Sequence, residues 1–251
     1  MKHLKKTLAL AMAVACVGCF AACGGDDEGG VPGENVVGVE VTAEEWAAAF
    51  AATTAATNFT VDVYVTYEWK AAEGSNFEKG TQDGKAQIAD AKMYIEYDAT
   101  ESWGYTEDGE TEAGDESGKI KTYYYTEDDM DYELSWNSVS NEWTKDEGGM
   151  PAQYRNGMYI MMQIGEVTDY SLYTYSADKN AYVYEETGDG ETLSVEIKIK
   201  DGKIAAVKKT ESGDDEGAYS ETSAMSITYG NASVTVPTDI VIAGDSGAVV
   251  E

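Results

Sequence analysis

The chain has 251 residues, with 17 Lys and Arg against 47 Asp and Glu, one His and three Cys. Its formal charge of −30 repels phosphates, so nucleic acid is not expected as a partner. The only histidine and two of the cysteines lie within the first 22 residues. A chain without that segment cannot build a Ser-His-Asp or Cys-His site, a His-containing metal site, a CxxC pair or an internal disulfide.

The N-terminus has the organisation of a signal peptide. A basic MKHLKK is followed by a short, Ala-rich apolar stretch at residues 7–22, too short for a membrane span. The FAAC sequence resembles a bacterial lipobox, which implies cleavage after Ala22 and a diacylglycerol on Cys23. Cys16 and Cys19 are competing positions, and an ordinary secretory leader with Cys23 as a free thiol is the alternative.

Composition divides the chain into four parts. Residues 1–22 form the signal peptide, and their removal takes three lysines and changes the formal charge from −30 to −33. Residues 23–35, the lipidated Cys and a Gly- and acid-rich stretch, are expected to be a flexible tether. Residues 36–242 form one β-rich domain, and residues 243–251 a frayed tail. We therefore expect an extracytoplasmic protein attached to the bacterial cell membrane by its lipid.

A capping box predicts where the first helix begins. Thr42 is the N-cap and Glu45 the N3 residue, and an Ala-rich run continues to about residue 57. Trp46 and Phe50 fall on one face, so this helix is expected to cover an apolar surface.

Most of the remaining sequence alternates apolar and polar residues, as in a half-buried antiparallel sheet. An Asp201-Gly202 pair predicts a type I′ hairpin. A second helix is expected over residues 150–166, weakened by Gly157. The strands are predicted at residues 59–70, 85–97, 120–126, 130–136, 170–175, 182–185, 193–200, 203–209, 224–229 and 233–236.

Acidic, Gly-containing stretches punctuate this pattern, at residues 107–116, 127–131, 186–191 and 211–216. Solvated loops are the expected structure, and a calcium site the alternative, although none has the spacing of an EF-hand loop. Paired carboxylates could also serve a glycosidase, but no spacing singles out a pair. We therefore expect no enzyme, and assign no catalytic residue, metal or cofactor.

Aromatic residues are abundant, with 18 Tyr and 5 Trp against 4 Phe. Tyrosine favours strands, which accounts for much of this content. The alternative is a set of stacking platforms for sugar rings or the lining of an apolar groove.

The order of elements resembles the lipoprotein-carrier superfamily, which includes periplasmic lipoprotein carriers and glycolipid-binding lipoproteins. The resemblance lies in a lipidated N-terminus, a helix written TAEEW, a strand beginning NFTVDV, a KDGKIAAVKK hairpin and a final YGNASVTVP. It implies an unclosed, curved antiparallel half-barrel whose concave apolar face is covered by helices. By element order, its groove would fall on Trp46, Phe50, Met158, Met161 and Met162.

Three functions are consistent with these features. The first is a membrane-tethered, non-enzymatic lipoprotein that binds a lipid or other apolar ligand between sheet and helices. The second is a glycan-binding or adhesive surface module that uses exposed Tyr and Trp. The third is a structural surface protein without a small ligand. The oligomeric state is left open.

Overall fold

The structure, a computed structural model, describes residues 31–72, 76–107, 110–214 and 217–243. Helix α1 spans Ala43–Thr54 and α2 spans Met158–Ile164, and 3-10 turns lie at Ala152–Tyr154 and Tyr170–Leu172. The strands of the described part are β1 (Asn58–Ala71), β2 (Phe77–Ala89), β3 (Lys92–Glu107), β4 (Glu110–Glu127), β5 (Met130–Asn137), β6 (Glu142–Glu147), β7 (Thr174–Ser176), β8 (Ala181–Gly188), β9 (Glu191–Lys200), β10 (Lys203–Gly213) and β11 (Gly217–Tyr229).

All of these strands form one antiparallel sheet in the order β6-β5-β4-β3-β2-β1-β11-β10-β9-β8-β7. The chain builds one half of the sheet outwards from β1, crosses over through α2, and builds the other half inwards until β11 pairs with β1. The edge strands β6 and β7 do not pair with each other within the described residues, so the sheet is not closed. The predicted α+β half-barrel with two covering helices is confirmed.

The two faces of the sheet follow from alternation along each strand. Phe59, Val61 and Val63 of β1 are all buried, and the residues between them are half-buried. The cross-strand partners of Val61 are Ala86 and Ile227, which are buried as well. We call this the inner face and the opposite one the outer face.

Helix α1 begins as predicted and is anchored at its other end by a buried hydroxyl. Thr42 accepts a hydrogen bond from the Glu45 amide, and the Glu45 carboxylate accepts one from the Thr42 amide. Near the C-terminus, the fully buried Thr53 accepts a hydrogen bond from the Ile204 amide at 3.0 Å, and its hydroxyl lies 3.1 Å from that of Tyr229. These contacts place α1 on the inner face where β10 begins and β11 ends.

The second helix is shorter than predicted, because a close contact separates it from the turn before it. Residues 150–166 contain the 3-10 turn, a break, and then α2. A Cβ on Gly157 would lie 1.7 Å from the Thr53 carbonyl oxygen, and the Gly157 amide donates to the Ala56 carbonyl at 2.7 Å. Gly157 is therefore the point where the crossover touches α1, which only glycine allows.

Arg155 fixes the same crossover to the far half of the sheet. Its side chain is 0% exposed, and its Nη2 donates to Thr126 and to the Asp131 carboxylate at the β4–β5 hairpin. Its Nε and Nη1 have no hydrogen-bond partner among the described residues. Burial lowers the pKa of this guanidinium, against the favourable charge of Asp131.

Four predictions of strands and loops need correction. Residues 85–97 are two strands, because Asp90 and Ala91 both adopt positive φ and form the β2–β3 turn. Residues 170–175 begin with a 3-10 turn, which Asp169 caps by accepting from the Ser171 amide. Residues 233–236 form no strand. The acidic stretch 107–116 continues β3 and β4 on either side of residues 108–109, which lie outside the description, so it is largely strand.

Strand β6 was not predicted, because its sequence, EWTKDE, contains only one apolar residue. The Asp201-Gly202 hairpin is confirmed, with both residues at positive φ.

The chain segments at both ends of the described range lie on the outer face or its rim. Lys198 donates to the carbonyl of Gly33 at 2.9 Å, so residues 31–35, which composition assigns to the tether, contact the sheet. At the other end, Ile242 forms a parallel bridge with Trp143 of β6. The signal peptide and Cys23 lie outside the described residues. Neither of the two described helices has the length and apolar character needed to cross a bilayer.

Candidate functional site

The five residues predicted to line a groove do not all meet. Trp46 is 3% exposed, and its ring stacks on Phe50 with a centroid distance of 4.8 Å. Its indole Nε1 donates to the Thr168 carbonyl at 3.0 Å, and its ring contacts Tyr173 and Tyr182. Trp46 and Phe50 therefore fill the space between α1 and the sheet.

The methionines of α2 diverge, because a short helix can turn only one side toward the sheet. Met161 packs against the main core cluster, as does Phe50. Met158 is half-buried and Met162 is 47% exposed. The structure thus brings Trp46 and Phe50 together, packs Met161 against the same core cluster and directs Met162 to solvent. Ligand binding by these residues stays a prediction.

Two clefts on the described surface lie elsewhere. One, of about 430 Å³, is lined by residues 32–34 and 36–37 together with Lys179, Lys198 and Lys208 on the outer face. The other, of about 410 Å³, is lined by Thr66, Thr81 and their neighbours toward the far end of the strands. None of the five predicted groove residues lines either cleft.

Beyond Val65 the inner face changes character. Helix α1 contacts the sheet where β10 begins, and α2 packs on α1, so both helices lie at the end that carries Phe59. Strands β1 to β4, β10 and β11 continue past that region. We call this part of the inner face the uncovered end.

Three aromatic residues at the uncovered end each pair with a glycine on the adjacent strand. The pairs are Tyr67 with Gly80, Trp103 with Gly114, and Tyr219 with Gly213. A Cβ on the glycine would lie 2.7 Å from the Tyr67 ring, 2.9 Å from the Trp103 ring and 2.5 Å from the Tyr219 ring.

Each ring therefore occupies the space that a side chain would otherwise take. A ring in this position covers the glycine on the inner face of the sheet. All three residues are half-buried. We call Tyr67, Trp103 and Tyr219 the aromatic floor.

Carboxylates lie among these rings on the same face. Burial raises the pKa of Glu101 above its ordinary value of 4.5, and the charges of Glu78 and Glu116 raise it further. Burial likewise raises the pKa of Glu221, with a smaller contribution from Glu211. Glu101 and Glu116 are cross-strand partners, as are Glu211 and Glu221, so acids at the uncovered end lie close enough to repel one another.

Tyrosine hydroxyls link the acids to the floor. Tyr105 donates to Glu78 at 2.6 Å, and its ring lies 5.9 Å from that of Trp103 in a stacked arrangement. Burial and the neighbouring carboxylates raise the pKa of Tyr67 well above its usual range, so its hydroxyl keeps its proton at neutral pH.

The arrangement offers flat apolar surfaces beside hydrogen-bond acceptors. Such a surface can stack against the C–H face of a ring and accept hydrogen bonds from hydroxyl groups at its rim. No group of three or more His, Cys, Asp or Glu side chains in the described ranges is placed to hold a metal ion.

Sequence reasoning noted the aromatic content but missed this site. The signal is the pairing of each ring with a glycine, and that pairing depends on strand register. For Tyr219 and Gly213 the partners are six residues apart, whereas for Tyr67 and Gly80 they are thirteen apart. Only a correct hairpin assignment for each pair would have revealed it.

Comparisons with known proteins give no family. No family model and no curated protein matches the chain. Among solved structures it is similar to the S-type phycobiliprotein lyase CPES from Guillardia theta, at 8% identity and a TM-score of 0.25, covering 77% of this chain and 96% of that one. It is also similar to a DUF1329 family protein from Desulfovibrio piger, at 7% identity and a TM-score of 0.24, covering 74% and 90%. Scores this low carry no argument about ligand or activity.

Proposed function

We propose that this protein is a non-enzymatic, lipid-anchored binding protein of the bacterial cell surface whose ligand is a carbohydrate held on the aromatic floor. The observation that supports the proposal is the set of three half-buried rings that cover glycines at the end of the sheet without helices. The rings supply stacking surfaces, and Glu78, Glu101 and Glu221 supply acceptors for sugar hydroxyls. The crowded acids favour a neutral or cationic sugar over an anionic one.

The proposed ligand site lies on the aromatic floor, not in the space between helices and sheet that the sequence predicted. That space holds Trp46 in ring contact with Phe50, Tyr173 and Tyr182. An apolar ligand there would have to displace packed side chains, whereas a sugar on the floor displaces only water.

The test is binding of neutral oligosaccharides to the full chain in detergent micelles, measured by calorimetry. Trp103→Ala is expected to weaken binding at least tenfold. Trp136→Ala is the matched control, since Trp136 lies on the outer face under Lys121, and it should leave affinity unchanged. If the protein instead bound a fluorescent fatty acid, and Trp103→Ala did not change that binding, the ligand site would lie at the covered end.

The anchor is tested separately. Cys23→Ala should release the protein from the membrane fraction without lowering its melting temperature, because residue 23 precedes the described fold. Retention of that variant would move the lipid to Cys16 or Cys19, or replace the lipid anchor with another attachment. Membership of the lipoprotein-carrier superfamily is part of this proposal and rests on the sequence resemblance and the curved β-rich sheet.

A further inference from the structure

The N-terminal segment of the described chain lies across the outer face and encloses a cleft there. We call residues 31–39 the strap. Lys198 donates to the carbonyl of Gly33 at 2.9 Å, and a Cβ on Gly33 would lie 2.7 Å from the Cβ of Ala206. A Cβ on Gly38 would overlap a backbone carbonyl of the β7–β8 turn. The strap is therefore seated closely on the sheet at two points, and the cleft of about 430 Å³ lies between it and strands β9 and β10.

The cleft lies in a basic part of an acidic chain. Residues 193–210, from the β9–β10 hairpin, contain five lysines and two acids, whereas the whole chain has 17 Lys and Arg against 47 acids. Lys198 and Lys208 of this hairpin line the cleft. Burial lowers the pKa of Lys198, and the nearby charge of Lys208 acts in the same direction. Two ammonium groups thus share a partly dehydrated space, where an anion would stabilise both.

Lys208 has no acid of its own in this cleft. It is half-buried, and its cross-strand partner is Glu196. The Glu196 carboxylate, however, accepts a hydrogen bond from Lys179 at 2.6 Å. Within the ranges that the structure describes, Lys208 forms no ion pair. A half-buried charge without a partner is costly, so Lys208 is a ready contact for an anionic group of a ligand.

The cleft also offers negative charge. Glu34 of the strap and Asp178 of the β7–β8 turn line it, and both are exposed. The charge of Glu34 acts on Lys198, so the two kinds of charge lie near each other. With Lys179 and Glu196 neutralising one another, two positive and two negative groups are left to face a ligand. A matching ligand carries an anion and a cation close together.

The strap leads directly to the residue proposed to carry the lipid. Cys23 and Val31 are eight residues apart. Since an extended chain spans at most about 3.5 Å per residue, the strap begins within about 28 Å of the anchor. This step rests on the proposed lipid anchor, and it places the cleft within reach of the lipid head groups of the membrane.

We propose that the cleft binds the head group of a membrane lipid in which a phosphate neighbours an ammonium group. Lys198 and Lys208 contact the phosphate, and Glu34 and Asp178 contact the ammonium group. A head group with both charges is not repelled by the chain's charge of −30, as a phosphate alone would be. The site is separate from the aromatic floor, which lies on the inner face at the other end of the strands.

The first test uses soluble phosphoethanolamine and the full chain in maltoside micelles, with affinity measured by calorimetry. Lys208→Gln should weaken binding at least tenfold and leave the melting temperature unchanged, because Lys208 forms no ion pair in the described fold. Asp178→Asn should lower the affinity for phosphoethanolamine to that for inorganic phosphate. Lys92→Gln is the matched control, since Lys92 is exposed and lies outside the cleft, and it should change affinity less than twofold.

The second test asks whether the head group comes from the bilayer. The full chain is placed in phosphatidylethanolamine vesicles or in maltoside micelles, and acetylation of each lysine is followed by mass spectrometry. Relative to Lys70 at the uncovered end, Lys198 and Lys208 should react at least fivefold more slowly in the vesicles.

Four outcomes would overturn the inference. They are no binding of phosphoethanolamine, equally tight binding of inorganic phosphate by the wild type, an equal loss in Lys92→Gln, and binding of the soluble head group without protection in vesicles. The last outcome would mean that the ligand is a soluble molecule. None of these outcomes bears on carbohydrate binding by the aromatic floor, and Cys23→Ala tests the anchor separately.

Discussion

The covered and uncovered ends of the inner face are built from the same strands but differ in the side chains they carry and in how deeply these are buried. At the covered end, Val61 and Val63 are 0% and 1% exposed, and the Thr53 hydroxyl of α1 is hydrogen-bonded to the sheet. At the uncovered end, the same alternation places half-buried rings and repelling carboxylates where core residues would continue. The first arrangement stabilises the fold, whereas the second leaves a chemically specific surface at some cost to stability. Substitutions should therefore affect folding at one end and binding at the other.

The largest contrast is expected between two tryptophans. Trp46→Ala removes a ring that is 3% exposed and contacts four other rings, so it should lower the free energy of unfolding by about 3–5 kcal/mol. Trp103→Ala, at a half-buried position, should cost about 1 kcal/mol. Urea denaturation of both variants measures the difference. Equal losses would mean that the uncovered end is part of the core.

The next largest effect on stability concerns the pair of the buried Arg155 and Asp131, and its size depends on which of the two residues is replaced. Asp131→Asn leaves the enclosed Arg155 guanidinium without a charge partner and should cost about 2–3 kcal/mol. Arg155→Met leaves Asp131, whose side chain is 29% exposed and can rehydrate, so it should cost about 1 kcal/mol. Chemical denaturation of the two variants measures both losses. A larger loss for Arg155→Met would show that the arginine contributes more by packing than by charge.

A smaller effect is expected at the C-terminal end of α1. Thr53→Val keeps the volume but leaves the buried Ile204 amide without its acceptor, for a cost of about 1–2 kcal/mol. The neighbouring Thr54→Val removes a hydroxyl that donates only to the Phe50 carbonyl within the helix and should cost a few tenths of a kcal/mol. Comparing the melting temperatures of the two variants distinguishes the contact that docks α1 on the sheet from the one made within the helix.

The smallest effect is a pH dependence at the uncovered end. The pKa of Glu101 is raised in the folded state, so its ionisation destabilises the fold above that pKa, and the cost disappears as pH falls toward 4.5. Glu101→Gln should therefore raise the melting temperature at pH 7 and leave it unchanged at pH 4. The exposed Glu112→Gln serves as the control. A gain at both pH values would point to packing rather than charge.

Local patterns predicted the covered end well. The capping box at Thr42, the alternation of β1 and the Asp201-Gly202 hairpin each depend on residues close in sequence, and each is present. The uncovered end could not be predicted in the same way, because its aromatic–glycine pairs exist only once the strands are aligned. Gly157 shows the same limit: sequence marks it as a weak helical residue, whereas the structure shows a contact with α1.

The pairing of β1 with β11 also constrains when the protein can fold. Phe59 and Tyr229 are cross-strand partners 170 residues apart, so the centre of the sheet forms only after nearly the whole chain is available. Until then β1 and β10 are open edges, each able to pair with another chain. Contacts so distant in sequence slow folding. A protein exported from its N-terminus would thus complete its sheet only at the end of translocation, and a chain truncated before β11 would keep two aggregation-prone edges at its centre.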